Sequence, residues 1–204
     1  MLKFFLFLSI VSGINTFSQN ITLADTIKYN SFQDLEKKTF YGTDYKNLKY
    51  YIRSSEKPYK LIFTFTDWCK PCREKHPSIL EIEKKFKNKL DVIFVTDMYT
   101  QGNLVNTYQY LSEINNNASI FTIIDDKKFE VKKGKYKYFL FDNKKNKRVQ
   151  VNRYEYTMNS LIPSLDDYGY SLVVLFDEND KVIYASTYYE TKDEVLKKLN
   201  AFLN

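Results

Sequence analysis

Cys69 and Cys72 are the only cysteines in 204 residues, and they stand two residues apart within Trp68-Cys69-Lys70-Pro71-Cys72. Thiols at this spacing close into a small disulfide ring and are suited to electron exchange. A purely structural disulfide gains little here, because so short a ring removes little loop entropy from the unfolded chain. A zinc centre needs about four ligands. The only histidine is His76, and no other residues stand at ligand spacing. Redox exchange is therefore the preferred reading; the alternative is a binding module with a weakened redox site that holds a soft metal such as Cu(I) or a protein partner.

The flanking sequence supplies the elements that position these thiols. Leu61-Ile62-Phe63-Thr64-Phe65-Thr66 is apolar, aromatic and β-branched, which predicts a buried strand. Ile79, Ile82 and Phe86 fall at helical spacing and predict an amphipathic helix running to about Phe86. A strand would thus deliver Cys69 to a helix N-terminus, where unpaired N–H groups and the helix dipole favour a thiolate. Cys69, exposed at the helix start, is expected to be the nucleophile, and Cys72, one turn in, the shielded resolving thiol. Lys70 either adds a cation beside the thiolate or is an exposed helix-start residue of no consequence. Pro71 fixes φ in the first turn, where a missing N–H costs little. Trp68 is expected to wall the disulfide, a role compatible with an ordinary core position.

The run WCKPCREKHP, with Trp68, Cys69, Pro71, Cys72, Arg73, Glu74 and Pro77, resembles thioredoxin-fold thiol-disulfide oxidoreductases of the secreted, membrane-linked type. The match is dense from Tyr59 to Val95 and thinner elsewhere. The resemblance implies a thioredoxin-like α/β fold with a central mixed sheet flanked by helices. It also implies reduction of client protein disulfides, re-reduction by a membrane thiol donor, a monomer and no cofactor. Pro77 is expected to kink the helix. Two departures from the pattern stand out. Phe63 occupies the place of a buried acid that would relay a proton to Cys72; Glu74, Glu81 and Asp67 are the nearest acids in sequence. Counting back from Asp177, Ser171 occupies the place of a cis-proline facing the thiols, and without proline the Tyr170–Ser171 bond is expected to be trans. Tyr170 and Ser171 would still lie near Cys69 and bind substrate backbone.

Lys3, the apolar run Phe4 to Val11 and the small residues Thr16 and Ser18 predict a signal peptide over residues 1–18. Its apolar core is about half the ~20 residues a membrane span requires, so an uncleaved anchor is the lesser alternative. The expected location is extracytoplasmic, in the periplasm if the cell has one. Residues 19–204 are read as one domain, with residues 125–150 as an inserted strand and hairpin region. The net charge of +6 is carried mostly by lysines interspersed with acids. The basic stretches Lys132–Lys137 and Lys144–Arg148 are read as a solvated hairpin rather than a nucleic-acid surface.

Further expectations follow chain order. They are an extended entry over residues 19–30, a helix from Ser31 to Lys38, and a helix from Asp44 to Ser55 with Tyr45, Leu48 and Ile52 inward. A strand from Asp91 to Thr96, a helix from Asn103 to Asn115 and a strand from Phe121 to Ile124 come next. After Tyr138–Phe141 and a turn at Asp142–Lys145, a helix starts at Asn152 and ends near Pro163. Strands Leu172–Phe176 and Val182–Ser186 flank a turn, and Thr191 with Glu194 caps a last helix with Val195, Leu199 and Phe202 inward.

Overall fold

The computed structural model describes residues 40–43, 45–97, 106–107, 110–111, 119–123, 138–142, 145–163, 165 and 168–204. The expected leader, the entry segment and the Ser31–Lys38 helix lie outside the described residues, as does most of the Asn103–Asn115 helix. In chain order the elements are β1 (Phe40–Thr43), α1 (Tyr45–Ser54), β2 (Tyr59–Thr64), α2 (Lys70–Lys85), β3 (Leu90–Asp97) and β4 (Ser119–Ile123). They continue with β5 (Tyr138–Asp142), β6 (Lys147–Val151), α3 (Arg153–Leu161), β7 (Val173–Phe176), β8 (Val182–Ala185) and α4 (Lys192–Leu203).

Six strands form one sheet in the order β1-β4-β3-β2-β7-β8. The first four run parallel, while β7 is antiparallel to β2 and β8 antiparallel to β7. A parallel β2–α2–β3 unit followed by an antiparallel β7–β8 hairpin and a closing helix is the thioredoxin-like α/β arrangement. The hairpin β5–β6 forms a separate two-stranded sheet.

Period-two alternation divides the core between the two sheet faces. Leu61, Phe63 and Phe65 share one cluster with Ile79 and Ile82 of α2 and Val195, Leu199 and Leu203 of α4. Ile62, Ile93, Val174 and Phe176 share the other with Leu48 and Ile52 of α1 and Tyr154 and Met158 of α3. Because both faces are covered, β2 and β3 read as nearly continuous apolar runs. Phe63, Phe65 and Phe94 are fully or almost fully buried, and each such side chain contributes roughly 1.5–3 kcal/mol.

Three expectations are corrected here. β1 was not foreseen: it is a four-residue edge strand containing Gly42, too short to show alternation. The last helix buries Leu203 instead of Phe202, which is exposed and stacks on Tyr184. Positions 195, 199 and 203 recur every four residues, so the inward stripe passes one residue beyond Phe202. Trp68 is 55% exposed and is not a core residue.

Candidate functional site

β2 ends at Thr64, and the chain runs through Phe65 and Thr66 into a turn at Asp67 and Trp68 before α2 begins. The turn is tied down twice. The Cys69 N–H donates to the Thr66 carbonyl at 3.3 Å, and Asp67 and Thr107 exchange two hydrogen bonds at 3.0 and 3.1 Å. Cys69 is the N-cap of α2: its extended backbone (φ −76°, ψ 105°) precedes the helix, and its sulfur accepts the Cys72 N–H at 3.2 Å. An N–H aimed at sulfur stabilises the anion more than the thiol, and the dipole of the 16-residue helix acts in the same direction. Pro71, in the first turn, forfeits only an N–H that the helix would not have used.

Cys69 and Cys72 are joined by a disulfide, with their Cα atoms 5.2 Å apart. Cys72 is fully buried. Cys69 is only 5% exposed, far less than a helix-start position suggests. The reason is that it belongs to the same apolar cluster as Phe65 and Val173, against which Tyr170 also packs. The expected order of shielding is kept, but narrowly.

Thr64 is the hub beneath the thiols. Its carbonyl lies 3.8 Å from the Cys72 sulfur and also accepts the Ser171 N–H at 2.9 Å. Its hydroxyl accepts the Leu172 N–H at 2.9 Å. The β2–β7 ladder thereby extends past the paired strand residues and seats Ser171 against the disulfide end of the sheet. Among the described residues no peptide is cis. Ser171 adopts φ 74°, in the left-handed region that costs a non-glycine residue about 1–2 kcal/mol. It is fully buried and its hydroxyl has no partner among the described residues. Both its backbone groups are engaged internally, because its carbonyl accepts Lys75 Nζ at 3.2 Å. Tyr170 is held by the edge of Trp68 (5.3 Å between centroids), by Tyr154 (4.8 Å) and by a hydrogen bond from its hydroxyl to Asp97 at 3.3 Å.

The remaining residues singled out from the sequence separate by exposure. Lys70 and Glu74 form an exposed ion pair at 3.7 Å, one turn apart on α2. Glu81 is exposed as well. Phe63 is fully buried and meets Phe65 and Phe94 edge-on, so no acid occupies its place.

Two buried polar residues of α2 were missed as site residues. Lys75 is 2% exposed, and His76 is fully buried among Phe65, Phe94 and Tyr110. Neither His76 ring nitrogen has a partner among the described residues, and burial pushes its pKa down from 6.5 to about 4. Helical geometry carried the missing signal: positions three and four beyond Cys72 share its inward face. Among the described residues no three His, Cys, Asp or Glu side chains gather as a metal site.

No family model and no curated protein matches the sequence. Solved structures do resemble it in shape. The thioredoxin domain of a thiol-disulfide oxidoreductase from Bacteroides vulgatus aligns at 14% identity and TM-score 0.47, over 72% of this chain and 80% of that one. A thiol:disulfide interchange protein from Bacteroides sp. aligns at 13% identity and TM-score 0.47, over 75% and 76%. The exposed lipoprotein thioredoxin of Streptococcus pneumoniae aligns at 12% identity and TM-score 0.45, over 74% and 89%. The fold assignment rests on this chain's own strand order and on where that order places its two cysteines.

Proposed function

We propose that this chain is an extracytoplasmic thiol-disulfide oxidoreductase that reduces disulfides of client proteins. The observation that carries the reading is the Cys72 N–H aimed at the Cys69 sulfur at the start of α2. In the dithiol form the Cys69 thiolate attacks one sulfur of a client disulfide. The client S–S bond breaks, and the departing client sulfur takes up a proton. Cys72 then loses its proton and attacks the Cys69 sulfur of the mixed disulfide, releasing the second client thiol and closing the Cys69–Cys72 disulfide. Two electrons pass to the client, and a membrane thiol donor returns them to the pair. Tyr170 packs against Trp68 and against the cluster that contains Cys69, which supports a role for it in meeting a client segment. Export follows from the expected leader at residues 1–18.

Trapping tests this directly. A Cys72→Ala variant is expected to accumulate mixed disulfides through Cys69 with exported proteins, and Cys69→Ser to accumulate none. Equilibration with glutathione buffers gives the direction. A potential near that of strong oxidants, about −120 mV, sinks the reductase assignment.

A further inference from the structure

Lys75 is the one charged side chain of α2 among its buried residues. Two hydrogen bonds and one close contact link it to the cysteine pair. The Cys72 sulfur lies at the Thr64 carbonyl (3.8 Å), that carbonyl accepts the Ser171 N–H (2.9 Å), and the Ser171 carbonyl accepts Lys75 Nζ (3.2 Å). Lys75 thus grips the residue whose backbone is held in a left-handed conformation beside the disulfide.

Among the described residues no carboxylate forms an ion pair with Lys75. The groups that face it from neighbouring elements are Glu190, in the turn before α4, and Glu194, in the first turn of α4. Glu190 already accepts Tyr184 Oη at 2.7 Å, Lys198 Nζ at 3.0 Å and the Thr187 N–H at 3.0 Å. Glu194 is occupied by the Thr191 capping box. On its own helix Lys75 is flanked by Cys72, with Cys69 beyond it, and by His76, which burial keeps neutral. The only hydrogen-bond acceptor given to Nζ among the described residues is the Ser171 carbonyl.

We propose that Lys75 is a positioning residue for the thiol pair: its Nζ holds the left-handed Ser171 turn against the thiols, and its buried positive charge favours their thiolate form. The proposal rests on the reading that Cys69 and Cys72 pass between disulfide and dithiol. In water-poor surroundings a cation near a titrating thiol acts far more strongly than a surface lysine such as Lys70. Desolvation lowers the Lys75 pKa from its usual 10.5, and Glu190 and then Glu194 oppose that shift. A thiolate nearby opposes it further. The coupling is reciprocal: ionisation of the thiol must raise the Lys75 pKa as much as protonated Lys75 lowers that of the thiol, and only the dithiol form can ionise in this way.

Two experiments test this without a client protein, so they read out even if client reduction fails. In the first, the reduced parent, Lys75→Met and Lys75→Gln are alkylated with iodoacetamide across pH, with near-UV circular dichroism confirming the fold. The Cys69 reactivity midpoint is expected to move up by about one pH unit in both variants, a tenfold change in thiolate equilibrium. A midpoint unchanged in either folded variant overturns the proposal. In the second, the Lys75 side chain of the unaltered protein is titrated by NMR in the disulfide and dithiol forms. Lys75 is expected to stay protonated to higher pH in the dithiol form. Identical midpoints overturn the proposal even if neither variant folds.

Discussion

The chain grips β7 at both ends with a buried lysine, and the two grips differ in kind. At the far end Lys60, 3% exposed, meets the Asp180 carboxylate at 3.0 Å and donates to the Asp177 carbonyl at 3.3 Å. At the near end Lys75, 2% exposed, meets only the Ser171 carbonyl among the described residues. In each case the gripped residue has a left-handed backbone, with φ 59° at Asp180 and 74° at Ser171. One end has its charge matched by a partner, as buried ions in a stable scaffold must. The end beside the thiols leaves a cation, two imidazole nitrogens and a hydroxyl without matching partners among the described residues. Polar groups left in that condition collect where a protein carries chemistry.

The strongest way to expose this asymmetry is acid. His76 titrates at its usual 6.5 in the unfolded chain but only at about 4 when folded. Between those values the unfolded chain binds the additional proton, so stability falls as pH drops. The loss accumulates to about 3 kcal/mol by pH 4. Denaturant titrations of His76→Leu should lack this increment, so the parent is expected to lose about 3 kcal/mol more than the variant between about pH 7 and pH 4; parallel curves would refute it. Next comes the matched grip. Lys60→Met leaves Asp180 only the exposed Arg53 at 3.7 Å, and a loss of about 2 kcal/mol is expected in urea unfolding, less than for a fully buried pair because Asp180 keeps some exposure and that second cation. Lys75→Met leaves a carbonyl unpaired but also removes a buried charge, so its loss should be smaller than that of Lys60→Met.

The smallest effects discriminate most finely. Ser171→Gly relieves a left-handed residue while keeping the carbonyl that Lys75 holds, so stability should rise by up to about 1 kcal/mol. Asp180→Gly relieves the same kind of strain but removes the carboxylate Lys60 needs, so stability should fall by about 1 kcal/mol. Thermal melts of the pair would show opposite signs. Shifts of the same sign would mean that the two ends are held alike.

The elements that carry chemistry were legible because local rules wrote them. Cys69 at a strand-to-helix junction, Pro71 in the first turn and the Thr191–Glu194 box all depend on neighbours within four residues. The β5–β6 hairpin was legible from its strand run and turn. Phe63 and Ser171 were singled out by counting back from Cys69 and from Asp177, and both are fully buried. What stayed hidden was long-range. Thr64 looks like any β-branched strand residue until Ser171, 107 positions later, donates to its carbonyl. Lys75 reads as a surface lysine in a lysine-rich chain, and its burial emerges only when α2, β7 and α4 come together. The near-complete burial of Cys69 is likewise a property of packing, invisible to a rule about helix starts.

Pro77 gives α2 a seam. With no N–H to offer the Arg73 carbonyl, it omits one rung of the helix between the turns that bear Cys72, Lys75 and His76 and the turns that anchor Ile79 and Ile82. The front of the helix is therefore not laced continuously to the back. If the sulfurs exchange bonds as proposed, the leading turns are the ones beside that missing rung, while Ile79 and Ile82 hold the rear of the helix in the core. The same residue that weakens the helix as a column stands between the cysteines and the helix's apolar anchor.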